Sequence, residues 1–416
     1  MKDNHQDVGY VKVVDIKPFS EPVIGKVLGQ PIFRDAINQG GELVQWTFTE
    51  IHTDEGITGI TPFNIGREMI EILKPAVIGE DPTNIQRIWD KMYWRCFNQG
   101  RKGAAVIAMS AIDVGLWDII GKKQKMPVYK LLGGYRDRVP GYGSGGVLSL
   151  SKDELIREQM SYLEDGYKAV KMKVGLRDPR QDIERVKAVR EAIGNGIDLM
   201  VDANNGWSTS TAIQMAKRLE RFDVRWLEEP VTAEDYDGYS RVAASTEIPV
   251  AGGESEYTKY GFKQLFTRGC LDIVQADVGK VGGITEYMKI DGMAEAFGLP
   301  MCPHGLGLVS AHCVAASPSG MIVEFFDGNR YPSTSIRKFQ EETGRRFMPD
   351  SIKPINGWID LPQVPGLGLD PDLEAVEEYR RKYPYKAEQL SPLTTLPPVR
   401  NNMFLSLQPD SSALER

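Results

Sequence analysis

The chain has 416 residues, of which 41% are hydrophobic and 26% are charged, and its formal net charge is −7. This length exceeds that of one small domain and suits a barrel of roughly 250 residues with a second domain beside it. The acidic balance, without a long Lys/Arg run, disfavours a nucleic-acid partner, and the lack of a long uninterrupted apolar run disfavours a membrane span.

The first part of the chain predicts strands followed by helices. Residues 11–16 and 43–51 are rich in β-branched side chains and are bounded by Gly and Pro, which is typical of an antiparallel meander. Helical patterns follow over residues 65–132, and the segment 104–121 is apolar almost all round, so we expect a buried helix there. We assign residues 1–136 to this N-terminal α+β domain.

From residue 137 short apolar runs alternate with amphipathic helices, which indicates βα units and a parallel sheet. The predicted strands are 139–142, 169–174, 199–202, 225–228, 249–253, 273–277, 301–304 and 321–325. Eight such strands favour a closed barrel, although a doubly wound sheet stays open as an alternative. We assign residues 137–365 to the barrel and 366–416 to a C-terminal segment with a charged helix at 373–382 and a tail from residue 384.

Nearly every predicted barrel strand ends in a charged side chain, at the end where such barrels carry active sites. Asp202, Glu228 and Glu254 are each separated from the next by 26 residues. Converging carboxylates repel one another, so we expect a hard divalent cation between them, Mg²⁺ with Mn²⁺ as a substitute. One such acid alone often caps a helix or pairs with a surface lysine, but three in this spacing indicate a metal site.

Two lysines and one histidine are the candidate bases. Lys171 and Lys173 share a face of their strand because side chains alternate with period two. Each ammonium group should lower the pKa of the other, so that at least one can act as a general base near neutral pH. His304 is the second candidate, because Asp277 on the preceding strand would orient the ring and raise its basicity.

The remaining histidines and the cysteines are interpreted as structural. The cysteines lack CxxC spacing and fit reduced thiols, and the N-terminus lacks a secretory pattern, so we expect a cytoplasmic protein. These structural residues are His5, His52, His312, Cys96, Cys270, Cys302 and Cys313.

The arrangement resembles the enolase superfamily, and within it the mandelate racemase subgroup. The motifs that carry the resemblance are KMK at Lys171 to Lys173, VDAN at Asp202, EEP at Glu228, GGES at Glu254, DVGKVGG from Asp277, PHG at His304, and Glu324. The resemblance runs from about residue 8 to 370. It implies an α/β fold with a modified (β/α)7β TIM-like barrel, whose mouth is covered by an α+β capping domain formed by the N-terminal region and the C-terminal segment.

The resemblance also implies a role for each residue. The implied Mg²⁺ ligands are Asp202, Glu228 and Glu254. Lys173 would abstract the proton α to the substrate carboxylate, while His304, with Asp277 behind it, would act on the other face as a second base or as the acid that expels a β-hydroxyl. The implied hydrogen-bond partners of the developing enediolate are Lys171, Glu324 and Asn204.

The expected lid, residues 20–38, mixes polar and apolar side chains, which suits a polyhydroxylated acid better than an aromatic one. Residues 61–64 read Thr-Pro-Phe-Asn where many relatives have Gly-Glu, so the lid chemistry stays open. We predict an acid-sugar (aldonate or aldarate) dehydratase, a hydro-lyase that forms a 2-keto-3-deoxy acid and acts as a homo-oligomer. A racemase, epimerase or cycloisomerase working through the same enediolate is the alternative, because the first step is shared.

Two other classes fit the residues less well. A noncatalytic scaffold has no reason to retain this many buried charges. A Schiff-base aldolase that uses Lys171 or Lys173 would give the three carboxylates no task.

Overall fold

The computed structural model of the chain describes residues 11–24, 43–62, 67–176, 178–326, 341–345 and 354–382. Three features of the sequence lie outside these ranges. They are the predicted lid beyond residue 24, Phe63 and Asn64 of the segment that differs from many relatives, and the tail from residue 384.

The N-terminal part forms an antiparallel sheet in the order β1-β2-β3, which confirms the predicted meander. Its strands are β1 Val13–Ile24, β2 Leu43–Thr53 and β3 Thr58–Thr61. Strand β1 runs further than predicted, through Pro18 and Pro22. Because β1 is the edge of this sheet, a missing N–H on that strand is tolerated.

The helices that follow this sheet are α1 Arg67–Leu73, α2 Ile85–Cys96, α3 Ala104–Gln124 and α4 Val128–Leu131, and of these α1 and α3 pack against its strands. Helix α3 is long and apolar enough to cross a membrane, yet here most of it is buried inside the fold. It lies so close to β3 that a Cβ on Gly59 would sit 2.2 Å from the carbonyl oxygen of Gly115, so position 59 needs glycine. The predicted buried helix at 104–121 is therefore confirmed.

The barrel strands are β4 Arg138–Ser144, β5 Ala169–Lys173, β6 Asp198–Asp202, β7 Val224–Glu228, β8 Val250–Gly252, β9 Ile273–Val274 and β10 Val323–Phe326. They pair in parallel in the order β10-β4-β5-β6-β7-β8-β9. The helices between them are α5 Lys152–Glu164, α6 Pro179–Ile193, α7 Thr209–Leu219, α8 Tyr236–Ala243, α9 Thr258–Thr267, α10 Ile284–Ala296 and α11 Gly307–Ala316.

The prediction of a strand at 301–304 is wrong, because the structure forms an isolated bridge there. Only Met301 pairs there, in parallel with Val274 on one side and with Gly320 on the other. This single bridge still links β9 to the chain that enters β10, so the sheet curls round on itself as a barrel. The next residues leave the ladder, and Cys302 retains one backbone hydrogen bond to the Val274 carbonyl.

After the barrel the chain returns to the N-terminal helices. Strand β11, Trp358–Asp360, pairs antiparallel with β4. Gly366 then exchanges backbone hydrogen bonds with Met126 and Val128, and the Leu367 N–H donates to the Asp118 carboxylate on α3. The chain ends its described course in α12, Leu373–Lys382.

A layer of side chains fills the inside of the barrel below its mouth. Its buried members are Tyr142, Ala169, Met200, Trp226, Ala251, Ile273 and Cys302. The Tyr142 and Trp226 rings meet edge to face with centroids 5.4 Å apart. This packed layer, the barrel floor, lies beneath the polar residues at the strand ends.

Candidate active site

Three carboxylates converge at the carboxyl ends of the barrel strands. Asp202 and Glu228 end β6 and β7 and are directly opposite in the register, and Glu254 follows β8 by two residues. One carboxylate oxygen of each lies within 4.8 Å of the others, and all three residues are buried. The structure thus brings together the three acids that the sequence singled out.

The two lysines of β5 point into this cluster, as the period-two argument predicts. Lys171 Nζ lies 2.5 Å from Glu228 Oε1, 2.7 Å from Glu324 Oε1 and 3.6 Å from Asp202 Oδ2. Lys173 Nζ lies 2.5 Å from Asp202 Oδ2. Each lysine is therefore an ion-pair partner of a metal-ligand candidate.

The expectation that at least one of the two lysines has a lowered pKa is wrong for this arrangement. Burial lowers the pKa of both lysines, but the surrounding carboxylates outweigh it. Glu228 and Glu324 hold the pKa of Lys171 well above its usual range, and Asp202 raises the pKa of Lys173 against the repulsion from Lys171. The sequence argument counted one neighbour on the strand, whereas the cluster gathers several charges from other strands.

His304, which follows the Met301 bridge, contacts the same cluster. Its Nδ1 lies 2.8 Å from Asp277 Oδ2, and its Nε2 lies 3.4 Å from Glu254 Oε2 and 3.8 Å from Glu324 Oε2. Burial lowers the pKa of the imidazole, but Glu254 and Glu324, with the Asp277 hydrogen bond, raise it to about 10. Without a cation the ring is therefore a proton-carrying imidazolium at neutral pH.

Glu324 and Asn204 complete the predicted set. Glu324 on β10 accepts a hydrogen bond of 2.9 Å from the Gly305 N–H, and although burial opposes it, Lys171 and His304 hold the pKa of this carboxyl well below its usual range. Asn204 adopts a positive φ of 41° just after β6, where its backbone N–H donates to Asp202 Oδ1 at 2.7 Å. This conformation suits a short polar residue.

Glu229 follows Glu228 directly and lies just beyond the strand. Strand β7 ends at Glu228, and Glu229 has a φ of 40°, so a period-two argument no longer applies there. Its Oε2 accepts a hydrogen bond of 2.7 Å from Asn205 Nδ2. Burial, followed by the charges of Glu254 and Asp202, raises its pKa well above the usual range.

Sequence reasoning missed three neighbours of these groups. Trp226 Nε1 and Gln275 Nε2 both donate to Glu228 Oε2, at 3.0 and 2.6 Å, and Lys280 Nζ lies 3.7 Å from Asp277 Oδ2. The signal for Trp226 was present in the sequence, since it lies two residues before Glu228 and so faces the same side of β7.

Two of the other histidines have local partners. His312 Nδ1 accepts from the Tyr129 N–H at 3.1 Å, its Nε2 lies 3.2 Å from the Leu367 carbonyl, and burial lowers its pKa to about 4. His52 contacts Glu50 and Thr58 on the N-terminal sheet. These contacts agree with a structural interpretation, and His5 lies outside the described residues. The four cysteines are buried free thiols.

The cluster is suited to a divalent cation. Its donors are all carboxylate oxygens, the kind that Mg²⁺ prefers. Buried Glu254 Oε2 makes no hydrogen bond within the described part of the chain. Burial and the negative charge of Asp202 raise the pKa of Glu228 to about 8, so the lysines leave part of the negative charge uncompensated. A bound cation would relieve this repulsion.

Comparison with known proteins agrees with this geometry. Residues 154–376 match the family model for enolase C-terminal domain-like proteins, and residues 42–133 match the N-terminal domain model of mandelate racemase and muconate lactonizing enzyme. Arabinonate dehydratase of Saccharolobus solfataricus is 37% identical over 347 residues, 80% of this chain and 90% of that protein. D-galactarolactone cycloisomerase of Agrobacterium fabrum is 34% identical over 351 residues, 80% of this chain and 91% of that protein.

A solved structure is similar over most of this chain. The structure of L-talarate dehydratase from Polaromonas sp. JS666, complexed with Mg and L-glucarate, superposes with a TM-score of 0.75 at 31% identity and covers 88% of this chain and 97% of that one. The chain belongs to the enolase superfamily, in the group of mandelate racemase and muconate lactonizing enzyme.

Proposed function

We propose that the protein is a Mg²⁺-dependent acid-sugar dehydratase that converts an aldonate or aldarate into a 2-keto-3-deoxy acid. The observation that carries this is the position of the two proton-transfer candidates at opposite ends of one carboxylate cluster. Lys173 contacts Asp202 at one end, and His304 contacts Glu254 at the other. A substrate bound at the cluster would therefore have a proton-transfer group on either side.

Asp202, Glu228 and Glu254 would hold the cation. When bound, Mg²⁺ supplies positive charge that binds the substrate carboxylate and stabilises the charge developing on its oxygens. The raised lysine pKa values belong to the cluster without this charge. Lys171 would donate a hydrogen bond to the same carboxylate, and Glu324, 2.7 Å from Lys171, would donate one when it carries a proton.

The proton transfers follow from the remaining groups. Lys173 Nζ, in its neutral form, would accept the proton from the carbon α to the carboxylate, which gives the enediolate. His304, held by Asp277 and carrying a proton, would donate it from Nε2 to the β-hydroxyl. The C–O bond then breaks, water leaves, and the resulting enol tautomerises to the 2-keto acid. Lys173 then releases its proton to solvent and His304 takes one up, so both groups return to their starting states and the net change is loss of one water.

A second candidate is a cycloisomerase or racemase. The similarity to D-galactarolactone cycloisomerase favours it, because this relative and arabinonate dehydratase each match 80% of this chain. The first proton abstraction would be the same, and the fate of the enediolate would differ.

The test is a screen of the protein with Mg²⁺ against a panel of aldonic and aldaric acids, with semicarbazide to detect 2-keto acids. We expect product from one stereochemical group. Exchange of the α-proton in D₂O without any keto acid would contradict dehydration and support the second candidate. Neither exchange nor keto acid, with Mg²⁺ bound, would contradict both.

We also propose a cytoplasmic homo-oligomer. The four buried free thiols support a reducing compartment. Fractionation of cells would test the location, and light scattering on a sizing column would test the assembly, for which a monomeric mass would be the contrary result.

A further inference from the structure

Two neutral donors hold one oxygen of Glu228. Gln275 Nε2 lies 2.6 Å and Trp226 Nε1 lies 3.0 Å from Glu228 Oε2. Gln275 and Glu228 are fully buried, and Trp226 is 1% exposed. A carboxylate oxygen has two in-plane lone pairs, so these two hydrogen bonds occupy Oε2. Oε1 accepts one hydrogen bond, from Lys171 Nζ at 2.5 Å, and keeps its second lone pair for a cation.

The Trp226 ring and the Gln275 backbone are each held by neighbouring barrel residues. The Trp226 ring is locked in the barrel floor against Tyr142. Gln275 directly follows β9, and its own N–H donates to the Gly252 carbonyl at 2.8 Å. The Trp226 ring therefore cannot follow a movement of Glu228 without disturbing the packed layer.

The other two acids are held differently. Asp202 accepts a backbone N–H from Asn204 and contacts both lysines. Glu254 Oε2 makes no hydrogen bond to the described residues, although His304 Nε2 lies 3.4 Å away. Glu228 is thus the acid of the three with one oxygen saturated by uncharged donors.

We propose that Trp226 and Gln275 are positioning residues that keep Glu228 a one-oxygen ligand and thereby favour Mg²⁺ over Ca²⁺. Mg²⁺ demands a compact octahedral set, whereas the larger Ca²⁺ accepts more oxygens and bidentate carboxylates. Donors behind a ligand orient it and tune its affinity for the metal. This inference rests on the proposed metal site.

The test uses Trp226→Phe, which keeps an aromatic ring, and Gln275→Met, which keeps the chain length. Calorimetric titration with Mg²⁺ and separately with Ca²⁺ gives both affinities. We expect Mg²⁺ affinity to fall about 10-fold or more in each variant. Ca²⁺ affinity should fall less, because the freed Oε2 becomes available, so the Mg²⁺/Ca²⁺ preference drops.

Trp117→Phe is the matched control. It removes an indole N–H that donates to Thr285 Oγ1 at 2.9 Å, away from the cluster. Its thermal unfolding temperature can change, but its Mg²⁺/Ca²⁺ preference should not.

The outcomes separate the two ideas. A folded Trp226 or Gln275 variant whose preference equals that of the wild type, even with lower thermal stability, would overturn the positioning role while leaving the metal site intact. A wild-type protein that binds neither cation would overturn the proposed metal site itself. Circular dichroism establishes which variants are folded, and either folded variant alone decides.

Discussion

The barrel mouth and the face of helix α3 both bury carboxylates, but they satisfy them in different ways. On α3, Asp118 accepts the Ile60 and Leu367 N–H groups at 2.9 and 2.8 Å, and Lys122 lies 2.7 Å away. Asp113 on the same helix accepts the Thr285 N–H at 2.9 Å, at the start of α10. These two acids tie separate segments to α3 through backbone donors.

The acids of the mouth face one another instead. Asp202, Glu228 and Glu254 gather within 4.8 Å, beside lysines and a histidine rather than a set of backbone N–H groups. A raised pKa does not separate the two regions, because burial raises the pKa of Asp113 to about 7 and that of Glu228 to about 8. The lesson is that convergence of like charges, rather than burial of one charge, marks the candidate site.

The largest expected effect separates proton transfer from metal binding within the mouth. Lys173→Ala and His304→Asn should lower turnover by about 10²- to 10⁴-fold, because each removes a group for proton transfer. Both should still bind Mg²⁺, since neither side chain is a proposed ligand. Initial rates and calorimetric titration measure the two properties, and full activity in either variant would refute its role.

Next in size is the loss of one ligand. Glu254→Gln should weaken Mg²⁺ binding by at least about 10-fold, because a neutral amide replaces a carboxylate ligand. Glu286→Gln is the matched control, since Glu286 is also buried but pairs with Lys259 and Lys289 outside the cluster. Equal Mg²⁺ affinity in the Glu254 variant and the wild type would remove Glu254 from the ligand set.

On α3 we expect a loss of stability without a loss of Mg²⁺ affinity. Asp118→Ala should lower the free energy of unfolding by about 3 kcal/mol, because two buried backbone N–H groups lose their acceptor. Mg²⁺ affinity of the folded variant should be unchanged. Denaturant unfolding and titration check the two halves, and weakened Mg²⁺ binding would show that the two regions are coupled.

The smallest effect concerns pH. The pKa of Asp113 is about 7 in the folded protein, against an ordinary value of 3.8. Between about pH 4 and pH 7 the folded protein therefore keeps a proton on Asp113, whereas the unfolded chain has released it. Stability from this group is therefore present at low pH and is lost as pH rises through that window. In Asp113→Asn this loss is absent, so the melting temperature of the variant relative to the wild type should rise by a few degrees between pH 4 and pH 8.

A constant difference between the two melting temperatures over this range would contradict the raised pKa. The comparison at each pH cancels the titration of all other groups, because both proteins carry them.

Much of this could be predicted from the sequence. The alternation of apolar runs and helices predicted the barrel, and equal spacing at the strand ends predicted the gathering of Asp202, Glu228 and Glu254. Local periodicity was sufficient there because parallel strands end at one edge, so a residue's place on its strand fixes its place in the barrel. The pairing of His304 with Asp277 followed in the same way.

The tertiary structure decided what depends on distances between remote atoms. The reduction of the 301–304 strand to one bridge, the return of residues 366 and 367 to α3, and the two donors to Glu228 have no local period. The lysine pKa values are raised where the sequence predicted a lowered value. The reason is that electrostatic interactions act through space and sum over every nearby charge, whatever its position in the chain.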